Sequence, residues 1–139
     1  MPEFLNEEDV IREFEGATGE KVEEIKLDDN NSINFWRVET VPEIEDDGYG
    51  DYREYWVFKS IEAAKALARE WVEEDLFENL EYFNQDWLRS LMTHRLSGES
   101  FVEYVAEQAV NIDGFAHFLP SYDENYILTG SGFVVVRIN

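Results

Sequence analysis

Glu70, Glu74 and Glu78 recur at intervals of four residues, with Glu73 between them and Glu81 three positions beyond. On a helix this spacing sets carboxylates along one stripe, ~6 Å apart along the axis. The segment Glu70–Asp86 contains no Lys or Arg. Like charges at this spacing destabilise a helix by roughly 0.2–0.5 kcal/mol per pair, whereas alternating signs would stabilise it. A second acidic patch, Asp46, Asp47 and Asp51, lies in the run Pro42–Asp51, which also holds two glycines. Carboxylates without cations can serve as phosphate surrogates, metal ligands or proton-transfer groups, or can form a solvated helix face.

Catalysis and metal binding find little support. His94 and His117 have no positional relation, and there is no HExxH, GxSxG or Walker A pattern. Ser97 and Ser100 lie near His94, but Ser100 is better read as a helix cap. Asp28-x-Asn30-x-Ser32 and Asp46-Asp47-Gly48 resemble pieces of a calcium loop without its glycine and terminal glutamate spacing. Gly48-x-Gly50 sits among acids that repel phosphate. The expectation is a protein with no catalytic residues, no metal site and no cofactor.

Several elements are needed to position these acids. Asn6 ahead of Glu7, Glu8 and Asp9 predicts a helix over about 7–15, with Val10, Ile11 and Phe14 inward and Gly16 as the stop. Lys21–Leu27 and Ile33–Val41 read as strands of a hairpin, separated by a long polar turn from Asp28 to Ser32. An acidic loop, Pro42–Asp51, leads to a strand at Tyr52–Phe58. Ser60 caps a helix over roughly 61–80, whose stripe is Ile61, Ala64, Leu67, Ala68, Trp71, Val72 and Leu76. A short helix follows from Asn84, and another near 101–110 opens on Ser100 and Glu103. Phe115–Leu119, Tyr126–Leu128 and Phe133–Ile138 read as strands. The sum is a single acidic domain spanning 1–139, of α+β class, with an antiparallel sheet of about five to six strands and helices packed on one face.

Charge narrows the function. Of 139 residues, 32 are Asp or Glu and 11 are Lys or Arg, a net charge of −21. Such a surface repels nucleic-acid phosphates and anionic membranes, and its excess exceeds what solubility needs. Aromatic residues at 15% favour a real core over disorder. The absence of cysteine removes disulfides and thiolate chemistry, and neither a signal peptide nor a spanning segment is legible. The expected partner is a basic protein, a nuclease or DNA-binding protein, met without direct nucleic-acid or membrane contact. The expected role is a DNA-mimic-type acidic inhibitor that blocks a basic groove by competition. Its partner-binding residues would be Glu70, Glu73, Glu74, Glu78, Glu81, Asp46, Asp47 and Asp51, with Tyr49, Tyr52, Tyr82 and Phe83 as anchors at the rim. The alternatives are an immunity protein or antitoxin that neutralises a basic toxin, an acidic domain without mimicry, or adaptation to high internal salt.

The strand YREYWVF, the helix with Ala63, Ala64 and Ala68, the run Phe83-Asn84-Gln85-Asp86-Trp87-Leu88 and the ending Val134-Val135-Val136-Arg137-Ile138-Asn139 together resemble a group of small acidic proteins encoded in phage genomes. The likeness covers roughly 52–139. It implies a phage or mobile-element origin, the cytoplasm of the host cell as location, and counter-defence such as anti-restriction or anti-CRISPR action. It transfers no functional residue.

Overall fold

A computed structural model describes residues 3–30, 33–41, 43–44, 50–51, 53–79 and 101–139. The first helix, α1 (Glu7–Thr18), opens on Asn6, whose side-chain oxygen accepts from the Glu8 amide at 3.0 Å and the Asp9 amide at 3.4 Å. It runs through Gly16 and stops at Gly19, which takes a left-handed φ of 74° and donates its amide to the Glu15 carbonyl at 2.9 Å. The predicted stop at Gly16 was therefore one turn early.

The strands are β1 (Val22–Asn30), β2 (Ile33–Thr40), β3 (Glu43–Ile44), β4 (Gly50–Asp51), β5 (Glu54–Phe58), β6 (Ile127–Leu128) and β7 (Val134–Arg137). Five form one antiparallel sheet in the order β1-β2-β5-β7-β6, while β3 and β4 pair as a separate ribbon inside the predicted acidic loop. Asp28, Asp29 and Asn30 belong to β1, with Asn30 in register with Ile33, so the polar cluster extends the strand instead of forming a long turn. The remaining helices are α2 (Ile61–Asn79), α3 (Phe101–Asp113) and α4 (Phe115–Phe118). The predicted strand at Phe115–Leu119 is thus a short helix. Gly114, at φ 86°, opens it, and Phe115, Ala116 and Leu119 all turn into the core at helical spacing. A short apolar run is compatible with either state, and here burial on one side selects the helix.

The α+β class and the antiparallel five-stranded sheet match expectation. Helices α2, α3 and α4 cover one face, where Phe35, Trp56, Phe58, Val134 and Val136 meet Ala64, Leu67, Ala68, Val110, Phe115 and Leu119. The first helix takes the other face: Val10 and Phe14 pack with Phe4 on Trp36, Val38, Tyr55, Val57, Phe133 and Val135. The Trp36 indole N–H donates to the Phe4 carbonyl at 2.7 Å and pins the N-terminal segment to this layer. With both faces covered, consecutive residues of β5 and β7 are buried, which is why EYWVF and VVV lack polar alternation. Among the described residues no helix is long and apolar enough to cross a membrane.

Candidate functional site

Strand register builds an arrangement that the helix stripe did not anticipate. Glu24 lies opposite Glu39 across β1 and β2, and Glu39 lies opposite Glu54 across β2 and β5. Three glutamates therefore stand in one row across three adjacent strands. A register shift between Val22 and Glu24 marks a β-bulge, which sets both Glu23 and Glu24 at the outer end of the row. The same shift turns Ile25 and Leu27 toward α1, opposite Val38 and Trp36.

The row has one anchored end and one free end. Glu54 Oε1 accepts from Arg37 Nε and Nη2, each at 3.0 Å, and from the Trp56 indole at 3.3 Å. Arg37 also lies 3.6 Å from Asp28. Glu23, Glu24 and Glu39 are exposed, and among the described residues no cation comes within ion-pair distance of them. Arg53 borders the row but is committed to Glu20 at 2.7 Å, a bond that raises its already high pKa. Glu23, Glu24, Glu39, Glu54, Arg53 and Asn139 line an open concavity of about 510 Å³.

Of the predicted stripe, the side chains of Glu70, Glu73 and Glu74 are described, on α2. Glu74 and Asp75 are exposed, whereas Glu70 and Glu73 are half-buried and one Glu70 oxygen is withdrawn from solvent. All four take part in contacts within the chain. Asp75 follows Ala64, Ala68 and Trp71 on the helix face that enters the core, so this face leaves the core within one turn of Trp71. Trp71 packs edge-on against Trp56 at 5.7 Å between centroids, and Trp56 is next but one to Glu54 along β5. Glu74 and Asp75 lie in the turn of α2 that follows this contact. Glu78 falls in α2, but its side chain lies outside the described residues, as do Glu81, Asp46 and Asp47. Asp51 pairs with Glu43 through β4, and its side chain also lies outside them. Tyr49, Tyr52, Tyr82 and Phe83 lie outside the described residues too.

Glu23, Glu24, Glu39 and Glu54 were missed because register was not legible. One signal existed. Val22, Ile25 and Leu27 are spaced three and then two, and a broken alternation of this kind marks a bulge.

Two further carboxylates hold the fold together. Glu13 accepts from the Ser131 amide at 3.0 Å and the Thr129 hydroxyl at 3.2 Å, which ties α1 to the β6–β7 connection. Hydrogen bonding from Ser131 is the largest influence on this carboxyl. With help from Thr129 and Arg12 it outweighs partial burial and lowers the pKa. Glu20 receives both Arg53 and the Tyr55 hydroxyl. Burial, followed by the bond to Glu20, pushes the Tyr55 phenol up to about 12. His117 Nδ1 lies 2.7 Å from Glu124 at the surface. Comparison with family models, with curated proteins and with solved structures returned no match.

Proposed function

We propose that this protein is an acidic inhibitor that occupies the basic groove of a nucleic-acid-handling protein, with carboxylates in the place of phosphates. Its action is competition, without bond-making chemistry. The observation that carries this reading is the row Glu24–Glu39–Glu54, extended by Glu23, whose outer members have no cation within ion-pair distance among the described residues, although Lys26 and Arg37 share a concavity with Glu24, Glu39 and Glu54. Like charges directly opposite on neighbouring strands are destabilising by roughly 0.2–1 kcal/mol per pair. Lys or Thr at Glu39 would relieve this opposition, and a use outside the fold would account for a glutamate there. Neighbouring strands are ~4.8 Å apart, and each DNA strand carries one phosphate per ~3.4 Å of axis, so the charge densities are comparable. The acids at Glu74 and Asp75 extend the field along α2. A phage or mobile-element setting, with the target in the host cytoplasm, accords with such a role.

The test is capture from host lysate at low salt, elution by a salt gradient, and competition with duplex DNA. The variant combines Glu23→Gln, Glu24→Gln and Glu39→Gln, which leaves Glu54 and its partners in place. We expect one basic nuclease or DNA-binding protein, displaced by DNA, and a loss of about tenfold or more in affinity for the variant. The same substitutions should leave stability unchanged or raise it. Unaltered binding by the variant, or capture of basic proteins in proportion to their abundance, would sink the reading.

A further inference from the structure

The two edges of the sheet are built differently. At one edge, β1 carries Glu23, Glu24, Lys26, Asp28 and Asp29 and a bulge, the devices by which edge strands avoid pairing with other chains. At the other, β6 is short, two residues, but the stretch Asn125–Thr129 around it has no charged residue, proline or bulge. Tyr126 is 44%, Ile127 41% and Leu128 54% exposed. Ile127 and Leu128 point to opposite faces of the strand, so the edge is partly exposed on both sides.

Backbone direction makes this edge a template. The Thr129 amide donates to the Phe133 carbonyl at 2.8 Å, and Ile127 is in register with Val135. Odd-numbered residues thus turn their polar groups toward β7. By alternation, Leu128 turns its N–H and C=O away from the sheet. The rim is negative. Asp123 and Glu124 are exposed where the chain enters β6, and Asp113 is exposed just before Phe115, whose ring lies 4.7 Å from that of Tyr126. Arg137 lies 4.2 Å from the centre of the Tyr122 ring, and the His117 ring faces Glu124.

We propose that β6 is a docking edge for an extended segment of a basic partner protein, apolar in its middle and flanked by Lys or Arg. This segment adds as a sixth strand antiparallel or parallel to β6. The Leu128 N–H and C=O start the pairing, and the apolar side chains supply contact area. Charge selects the occupant: a second copy of this chain would bring the rim acids against their own counterparts, with −21 on each molecule. The inference rests on the proposed function for the basic nature of the partner, but it concerns a separate surface.

The probe is a short synthetic peptide of alternating valine and threonine with lysines at both ends, compared with one ended by glutamates. Amide hydrogen exchange of the whole chain is the readout. At saturating lysine-ended peptide, exchange at Leu128 should slow by about tenfold or more, while the core amides of β7 stay unchanged. The glutamate-ended peptide should leave Leu128 unaffected. Leu128→Pro, which removes an outward N–H, should abolish the effect. Leu128→Lys keeps the backbone intact and should weaken binding of the lysine-ended peptide at least severalfold. The Glu23→Gln, Glu24→Gln, Glu39→Gln variant should retain full protection by the peptide, which separates failure of the glutamate row from failure of the edge. No protection by the lysine-ended peptide, equal protection by both peptides, or a dimer of the chain alone with Leu128 protected would each overturn the proposal.

Discussion

Glu13 shows how a single carboxylate couples pH to the attachment of α1. Its oxygen accepts the Ser131 amide and the Thr129 hydroxyl, and its pKa is lowered by those bonds. A carboxyl with a lowered folded-state pKa binds its proton less readily when folded than when unfolded. Its stabilisation is therefore complete above the ordinary carboxylate range and disappears as pH falls through the lowered value. Urea denaturation of the protein and of Glu13→Gln, repeated across the acid range, should show a stability gap that is constant near neutral pH and closes on acidification. A gap independent of pH would mean that the charge of Glu13 contributes nothing beyond its shape. The glutamate row differs at the same scale. Glu24 and Glu39 stand in register with each other, and Glu39 with Glu54, and among the described residues no cation lies within ion-pair distance of Glu24 or Glu39, so neutralising these two should relieve the fold.

At the scale of elements, two glycines three residues apart in and after α1 should respond with opposite signs. Gly16 lies inside the helix, and a Cβ there would meet nothing within 4 Å. Gly16→Ala should stabilise by roughly 0.5–1 kcal/mol by removing backbone freedom from the unfolded chain. Gly19 also has open space around it, but its φ of 74° belongs to the left-handed region. Gly19→Ala should destabilise by about 1 kcal/mol. Thermal or urea denaturation of both variants reads the two signs directly, and equal effects would contradict the assigned helix end. The start of α1 was legible because Asn6 and three following acids form a local pattern with one physical meaning. Its end was not, because Gly16 and Gly19 are the same residue and only the closing hydrogen bond distinguishes them. The apolar stripe of α2 was legible through Trp71 for the same local reason. The acid stripe of α2 was read as one exposed line, yet Glu70 and Glu73 are half-buried. Helical spacing places residues on a face but does not say how far the core extends along it. The row through Glu39 depends on which strands neighbour β2 and on a one-residue bulge, and both are settled by pairing between distant segments. The place of α1 opposite the other helices is likewise a tertiary choice. Its trace in sequence is the unbroken apolar run in β5 and β7.

For the whole molecule, net charge sets two salt responses of opposite direction. A charge of −21 repels itself in the compact state. Raising ionic strength from about 0.01 to 0.15 M shortens the screening length from ~30 to ~8 Å. The Tm should rise over that range while affinity for a basic partner falls. Thermal denaturation alongside binding at matched salt concentrations tests the pair of trends, and a Tm that does not move would show that the acids are compensated within the fold. The order of the strands has a further consequence, in time instead of energy. The central strand β5 pairs on one side with β2 and on the other with β7, so Tyr55–Phe58 wait for partners at Val134–Arg137. At a synthesis rate of about 5–20 residues per second, several seconds separate the emergence of these segments from the ribosome. Throughout that interval the β1–β2–β5 meander bears the acidic row but has no β7 beside it. The nascent chain thus carries its charge before it has a finished sheet on which to hold it, and competence to bind should arrive abruptly with the last strand.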